Sequence, residues 1–193
     1  MGLIRVKNCP LCGEYSAGHE PIDKYPFFRC SCGMEYRDPR PDDTELMDWY
    51  ASGEYRRTRR GDQRLLDVDE RIRARRIASI IKSEAVSHLD VGCSKGYLLK
   101  QANRKHMMVV EPNPDYPKDG VPFVASLDQV EGKWDAITCI HVLEHVPDFL
   151  GMAAMMMDLL EPGGQLIVEV PGMHSNLGPY TDAHLSHFTP AVL

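Results

Sequence analysis

Four of the six cysteines lie within the first 32 residues, in two short pairs, Cys9-Pro-Leu-Cys12 and Cys30-Ser-Cys32. Thiolates at this spacing can hold one Zn²⁺ in a tetrahedron, because each short turn supplies two ligands. In a cytoplasmic chain, which the composition indicates below, paired cysteines favour a metal over a disulfide. We therefore predict a Cys₄ zinc ribbon. Its zinc is expected to be structural, since four protein ligands leave no position open for catalysis.

A second group of residues forms a glycine-containing turn between a short apolar run and a helix. The run His88-Leu-Asp-Val91 stops at Gly92, and Gly96 then opens the helix. Glycine at such a turn lets a ligand approach the backbone closely. Glu111 closes the next apolar run about 20 residues later, a spacing that suits a carboxylate accepting both hydroxyls of a ribose.

These residues belong to a stretch in which short apolar runs alternate with helical segments. We predict strands over 88–91, 107–110, 121–124, 134–140 and 165–170, with helices over 97–104 and 149–160. Such alternation indicates a parallel sheet covered on both faces. Ligands of these sheets bind outside the carboxyl ends of the strands, where the glycine turn and Glu111 fall.

Four segments resemble, in order and spacing, the motifs of class I S-adenosylmethionine-dependent methyltransferases. They are Asp90-x-Gly92-x-Ser94-x-Gly96, with serine at the family's middle glycine, Val110-Glu111-Pro112-Asn113, Trp134 to Asp148, and Leu160 to Pro171. Dehydrogenases share the glycine loop but not the other segments. The resemblance covers residues 85–171 and implies an α/β fold with a Rossmann-like, doubly wound parallel sheet.

The resemblance also implies which residues bind S-adenosylmethionine. The loop Gly92, Ser94 and Gly96 should lie against the methionine part, supported by Asp90. Glu111, followed by Pro112, should hold the ribose hydroxyls. The remaining expected contacts are Ser126 and Leu127 at the adenine, Ile140 and His141 beside the sulfonium, and Tyr50 or Tyr55 at the carboxylate.

The acceptor is harder to infer than the methyl donor. An N-terminal Cys₄ module before this domain resembles a subgroup that includes sugar C-methyltransferases, which implies a small-molecule acceptor such as a sugar or nucleotide-linked sugar. Histidine can act as a base near neutral pH. The first candidates are His145 and His184, and the second candidates are His141 and His187. The sugar C-methyltransferases have Glu immediately before the histidine that corresponds to His184, and this chain has Ala183 there.

Three other functions remain open. His141-Val-Leu-Glu144-His145 matches a metalloprotease signature, but that signature needs a helix, and Pro147 follows directly. An RNA base methyltransferase could use the Arg-rich segment 56–76 to bind phosphates, since that segment has nine arginines and four acidic residues. The segment could also be a solvated amphipathic helix, and charge alone does not decide between these interpretations. A zinc-mediated interaction module on a non-catalytic domain is the third alternative.

The sequence predicts three parts: a zinc module over 1–38, a helical linker or cap over 39–84, and a Rossmann-like domain over 85–193. We expect that last domain to be a truncated or shortened variant, because the family fold continues with a helix and two strands for which no residues remain. The segment between Glu111 and Val121 is proline-rich, and we expect a loop there in place of the second crossover helix.

Composition narrows the classes of protein. The chain has 193 residues, of which 43% are hydrophobic and 26% charged, as in ordinary globular proteins. The net charge of −6 argues against nucleic acid as a general partner. No apolar run approaches the ~20 residues of a membrane span, and the first residues lack a secretory signal. We expect a cytoplasmic protein.

Overall fold

A computed structural model describes residues 2–15, 20–22, 26–54, 63–116, 120–171 and 183–189. The chain divides into two compact units. The ribbon unit takes in the segments 1–48, 141–152 and 169–193, and the sheet unit takes in 49–140 and 153–168. Within the described residues, every helix is too short or too polar to cross a membrane.

The sheet unit is built on five strands: β6 (Ser87–Val91), β7 (His106–Val110), β8 (Phe123–Val124), β9 (Trp134–Ile140) and β10 (Leu160–Glu169). Their order is β10-β9-β6-β7-β8, and β6 pairs in parallel with both β7 and β9. β6 is the central strand, and its last four residues are buried, as is typical of parallel sheets. The Rossmann-like fold predicted from the sequence is confirmed.

Helices α2 (Gln63–Ile80) and α3 (Tyr97–Ala102) belong to the sheet unit. Ala74 and Ile77 of α2 pack in one apolar cluster with Leu98 and Ala102 of α3. The apolar side chains of α2 are only partly buried, since Leu65 is 65% exposed and Ile72 is 58% exposed.

Element ends differ from the predictions by a few residues. Helix α3 ends at Ala102 rather than at 104, and helix α4 covers Phe149–Asp158 rather than 149–160. Strand β10 begins at Leu160 rather than at 165, so that residues 162–164 lie inside the strand. A Cβ on Gly164 would lie 3.1 Å from the carbonyl oxygen of Trp134, which explains a glycine at this close approach.

The ribbon unit contains a four-stranded antiparallel sheet in the order β11-β4-β3-β2. Its strands are β2 (Glu20–Ile22), β3 (Phe27–Arg29), β4 (Glu35–Arg37) and β11 (Ser186–His187). A two-stranded sheet joins β1 (Leu3–Ile4) to β5 (Arg40–Pro41), and α1 (Asp43–Ala51) follows. The pairing of β11 with β4 joins the histidine-rich segment to the cysteine-bearing segment.

Candidate functional site

The carboxyl ends of β6, β7, β8 and β9 carry the residues that the sequence predicted for the cofactor. Asp90 lies within β6, the glycine-containing loop follows that strand, and Glu111 and Pro112 follow β7. Ser126 and Leu127 come directly after β8, and Ile140 is the last residue of β9. The four strands are neighbours in the sheet, and their carboxyl ends therefore meet at one edge.

Glu111 is the anchor of this edge. Its side chain is buried, with 6% of its surface exposed. Oε2 accepts a hydrogen bond from the backbone N–H of Ser94 at 3.2 Å, and Oε1 accepts one from the N–H of Asn113 at 3.1 Å. These two bonds fix the carboxylate between the β6 loop and the turn after β7. Asn113, for which the sequence predicted no role, thus helps to orient it.

The loop after β6 needs an unusual backbone. Gly92 and Gly96 have φ of 78° and 70°, and Ser94 has φ of 52°, a region that costs a side-chain-bearing residue about 1–2 kcal/mol. The hydroxyl of Ser94 is buried and has no hydrogen-bond partner among the described residues. A buried unpartnered hydroxyl beside a fixed carboxylate fits a polar ligand in this loop.

A buried polar chain supports the loop from below. The hydroxyl of Thr138 donates to Oδ1 of Asp90 at 2.7 Å, and it accepts from Nε2 of His88 at 2.8 Å. Burial raises the pKa of Asp90 to about 7, and the nearby Glu111 adds to this effect. Burial lowers the pKa of His88 to about 4. No short motif predicts these hydrogen bonds, because the three residues come from two different strands.

The residues predicted at the adenine form a short 3₁₀ turn, Leu127–Gln129, after β8. Leu127 is buried with 5% of its surface exposed. Oε1 of Gln129 accepts hydrogen bonds from the N–H groups of Ala125 and Ser126, at 3.0 and 3.4 Å. The turn is therefore held in a fixed conformation by its own side chain.

The four predicted zinc ligands converge in the ribbon unit. The Sγ atoms of Cys9, Cys12, Cys30 and Cys32 lie within 4.8 Å of one another, and all four cysteines are free thiols. Each pair closes a turn through a glycine with positive φ, since the N–H of Gly13 donates to Cys9 O and that of Gly33 donates to Cys30 O. Four convergent thiols without disulfides fit a tetrahedral metal site.

The histidines predicted as bases lie in a second cluster of the ribbon unit. The imidazole rings of His145 and His184 are 5.0 Å apart between centroids, and both are buried. Nδ1 of His145 lies 2.9 Å from the carbonyl oxygen of Ala183, which can only accept, so that Nδ1 carries the proton. His187 stacks on Phe27 at 4.5 Å.

Glu144 joins this cluster, although the sequence assigned it no role of its own. Its Oε1 accepts from Nδ1 of His141 at 3.2 Å and lies 3.7 Å from Nε2 of His145. Burial by itself would raise the pKa of Glu144, but the hydrogen bond from His141 and the neighbouring His145 hold that pKa below its usual value. The carboxylate is therefore ionised among imidazoles.

The metalloprotease signature lacks the helix it needs. Leu143–His145 form a single 3₁₀ turn after β9, rather than an α-helix with both histidines on one face. Nε2 of His141 instead lies 3.4 Å from a carboxylate oxygen of Glu169.

Tyr55 and the arginines at 56–60 lie outside the described residues, and Tyr50 lies in α1.

Comparison with known proteins identifies the family. A model of the family described as a methyltransferase domain matches residues 50–189. The ubiquinone biosynthesis O-methyltransferase of Xanthomonas campestris pv. campestris (strain B100) is 29% identical over 127 residues, which cover 56% of this chain and 52% of that protein. The corresponding protein of Dechloromonas aromatica (strain RCB) is 31% identical over 99 residues, which cover 42% of each chain. This chain thus spans about half the length of the first relative and 42% of the length of the second.

A solved structure supports the same fold. The magnesium protoporphyrin IX methyltransferase of Synechocystis PCC 6803, with S-adenosylmethionine bound, superposes with a TM-score of 0.53 at 21% identity, covering 66% of this chain and 76% of that one. The family match spans most of the chain, including the loop after β6 and Glu111. The chain belongs to the methyltransferase-domain family of the class I S-adenosylmethionine-dependent methyltransferases.

Proposed function

We propose that this chain transfers a methyl group from S-adenosylmethionine to a small-molecule acceptor, with sugars and nucleotide-linked sugars as the first class to test. The observation that carries the proposal is Glu111, a buried carboxylate held by two backbone N–H groups at the carboxyl end of β7. In that position its oxygens can accept hydrogen bonds from the two hydroxyls of a ribose.

The residues around Glu111 would hold the rest of the donor. The loop Gly92–Gly96 would take the methionine part, with the Ser94 hydroxyl as a free donor. The other proposed contacts are Asp90 at the amino group, Ser126 and Leu127 at the adenine, Ile140 and His141 at the sulfonium, and Tyr55 at the carboxylate. The donor supplies an electrophilic methyl group and leaves as S-adenosylhomocysteine.

Methyl transfer requires alignment of the acceptor atom, and a hydroxyl acceptor must also lose its proton. In our proposal that proton goes to Nε2 of His145. In the neutral form of this ring Nδ1 donates to Ala183 O, and the lone pair then lies on Nε2. Glu144, 3.7 Å from this nitrogen, would stabilise the imidazolium. His184, whose ring meets that of His145 edge to face, is the second candidate base.

The four thiols of the ribbon unit would bind one structural Zn²⁺. The ion would link the turn at Cys9 and Cys12 to the one at Cys30 and Cys32. Cys30 is followed closely by β4, which pairs with β11, and His184 lies two residues before β11. In this proposal zinc stabilises the fold around the histidine cluster and takes no part in methyl transfer.

The test is transfer of a labelled methyl group from S-adenosylmethionine to a panel of sugars and nucleotide-linked sugars. We expect at least one acceptor to be labelled, and His145→Gln to lower kcat by about 10²-fold or more, the usual contribution of a general base. His106→Gln, at an exposed position of β7, is the matched control. Labelling of RNA in place of small molecules would contradict the proposed acceptor class.

A further inference from the structure

The histidine cluster has the composition of a metal site of its own. Glu144, His145 and His184 each offer one ligand atom, and these atoms lie within 4.8 Å of one another. All three residues are buried, with 1%, 8% and 9% of their surfaces exposed. Two imidazoles and one carboxylate are a ligand set that Zn²⁺ and similar divalent ions take in proteins.

The orientation of His145 suits a metal ligand. Metal-binding histidines usually donate their other ring N–H to a carbonyl or carboxylate, which fixes the ring and the tautomer. Nδ1 of His145 makes this bond to Ala183 O at 2.9 Å. When this ring is neutral, Nε2 carries the lone pair, and this atom lies 3.7 Å from Glu144 Oε1. Ligands of a tetrahedral zinc ion are about 3.3–3.5 Å apart, so that a small closure suffices.

The carboxylate of Glu144 supplies an independent observation in favour of a cation site. Oε1 accepts a hydrogen bond from His141, whereas Oε2 is buried and has no hydrogen-bond partner among the residues that the structure describes. A buried carboxylate oxygen without a partner is costly, and a bound cation is one way of satisfying it.

Two hydrogen bonds fix His184 beside the turn that carries the other two residues. The N–H of Leu185 donates to the carbonyl oxygen of Glu144 at 2.7 Å, and Ala183 O accepts from His145 at 2.9 Å. They flank His184 on both sides in the chain. The three groups thus stand together before any ion binds, which lowers the ordering cost of binding.

From these observations we infer a second metal site, in which Glu144, His145 and His184 bind one divalent ion of the zinc class, separate from the four cysteines. Three protein ligands leave at least one coordination position open. The ion uses the lone pair of His145 that the proposed function assigns to proton transfer, and it therefore inhibits methyl transfer. That consequence rests on the proposed function, whereas ion binding does not.

The test uses protein whose four cysteines are loaded with one zinc, titrated with Co²⁺. We expect one further equivalent to bind, with d–d bands and without the charge-transfer bands of thiolate ligands. Glu144→Gln and His184→Gln should weaken this second ion at least about 10-fold, and His106→Gln should not. X-ray absorption of the wild-type second ion should show nitrogen and oxygen ligands only, a result that does not depend on how the variants fold.

Absence of a second equivalent, sulfur in its coordination shell, or unchanged affinity in both variants would overturn the site. The activity assay then separates the two proposals. Inhibition by the second ion supports both. Binding of the ion with undiminished methyl transfer leaves the metal site in place and contradicts His145 as the base.

Discussion

The backbone N–H of Ser94 donates a hydrogen bond of 3.2 Å to Oε2 of Glu111, which ties the loop after β6 to the carboxylate after β7. The two residues lie 17 positions apart in the chain but at the ends of neighbouring parallel strands. The carboxylate that we propose to bind the ribose and the loop proposed for the methionine part are therefore held together by this hydrogen bond.

Ser94 is expected to strain this loop. Its φ of 52° favours glycine, the residue that the family pattern has at this position. Ser94→Gly and Ser94→Ala both remove the hydroxyl, but only the first relieves the backbone. We expect the glycine variant to be more stable than the alanine variant by about 1 kcal/mol. Thermal unfolding measures this difference, and equal midpoints would show that the loop carries no strain.

Asp90 should make stability depend on pH. Its pKa is raised by burial from 3.8 to about 7, so that the folded state binds the proton more tightly than the unfolded state. The resulting stabilisation is fully present below about pH 3.8 and is lost as pH rises to about 7, by up to ~1.4 kcal/mol per pH unit.

The isosteric variant Asp90→Asn has no titrating carboxyl group, but its amide oxygen can still accept the hydrogen bond from Thr138. Urea unfolding of both proteins between pH 5 and 8 should show the wild type losing stability relative to the variant as pH rises, with the difference levelling off above about pH 7. A constant difference across this range would mean that the carboxyl group of Asp90 titrates elsewhere.

Zinc should be necessary for the ribbon unit. Cys12 is exposed, so that Cys12→Ser changes a ligand with little effect on packing. We expect this variant to lose the zinc equivalent and to unfold at lower temperature, because binding of a structural ion contributes directly to folding. Cys139→Ala, in β9, is the control and should keep its zinc. A full zinc content in Cys12→Ser would argue against the Cys₄ site.

The sheet unit was predictable because its signals are local. Short apolar runs predicted all five strands, two of them ending at Gly92 or Glu111, and the family motifs predicted the residues around Glu111. What local pattern could not show is which residues meet across strands. The chain from His88 through Thr138 to Asp90 joins residues 48 and 50 positions apart, and no short motif marks it.

The ribbon unit was harder to predict. Strand β11 has two residues and pairs with β4, roughly 150 positions earlier, without the alternating pattern that marks a longer strand. Only this pairing places His187 against Phe27. Glu144 could have been predicted, since it is part of the His141-x-x-Glu144-His145 pattern. That pattern was considered only as a metalloprotease signature, which needs a helix. The division into three parts and the roles of the site residues remain predictions.

The central claim is that this chain binds a methyl donor through Glu111, and calorimetric titration with S-adenosylhomocysteine tests it most directly. The protein should be assayed for zinc and shown to be folded beforehand. We predict micromolar binding that Glu111→Ala weakens at least about 10-fold, because a hydrogen bond to a charged group contributes about 1.5–3 kcal/mol. Glu131→Ala, at an exposed position, should bind like the wild type. Absence of binding by folded, zinc-loaded protein, or equal affinity in Glu111→Ala, would contradict the account.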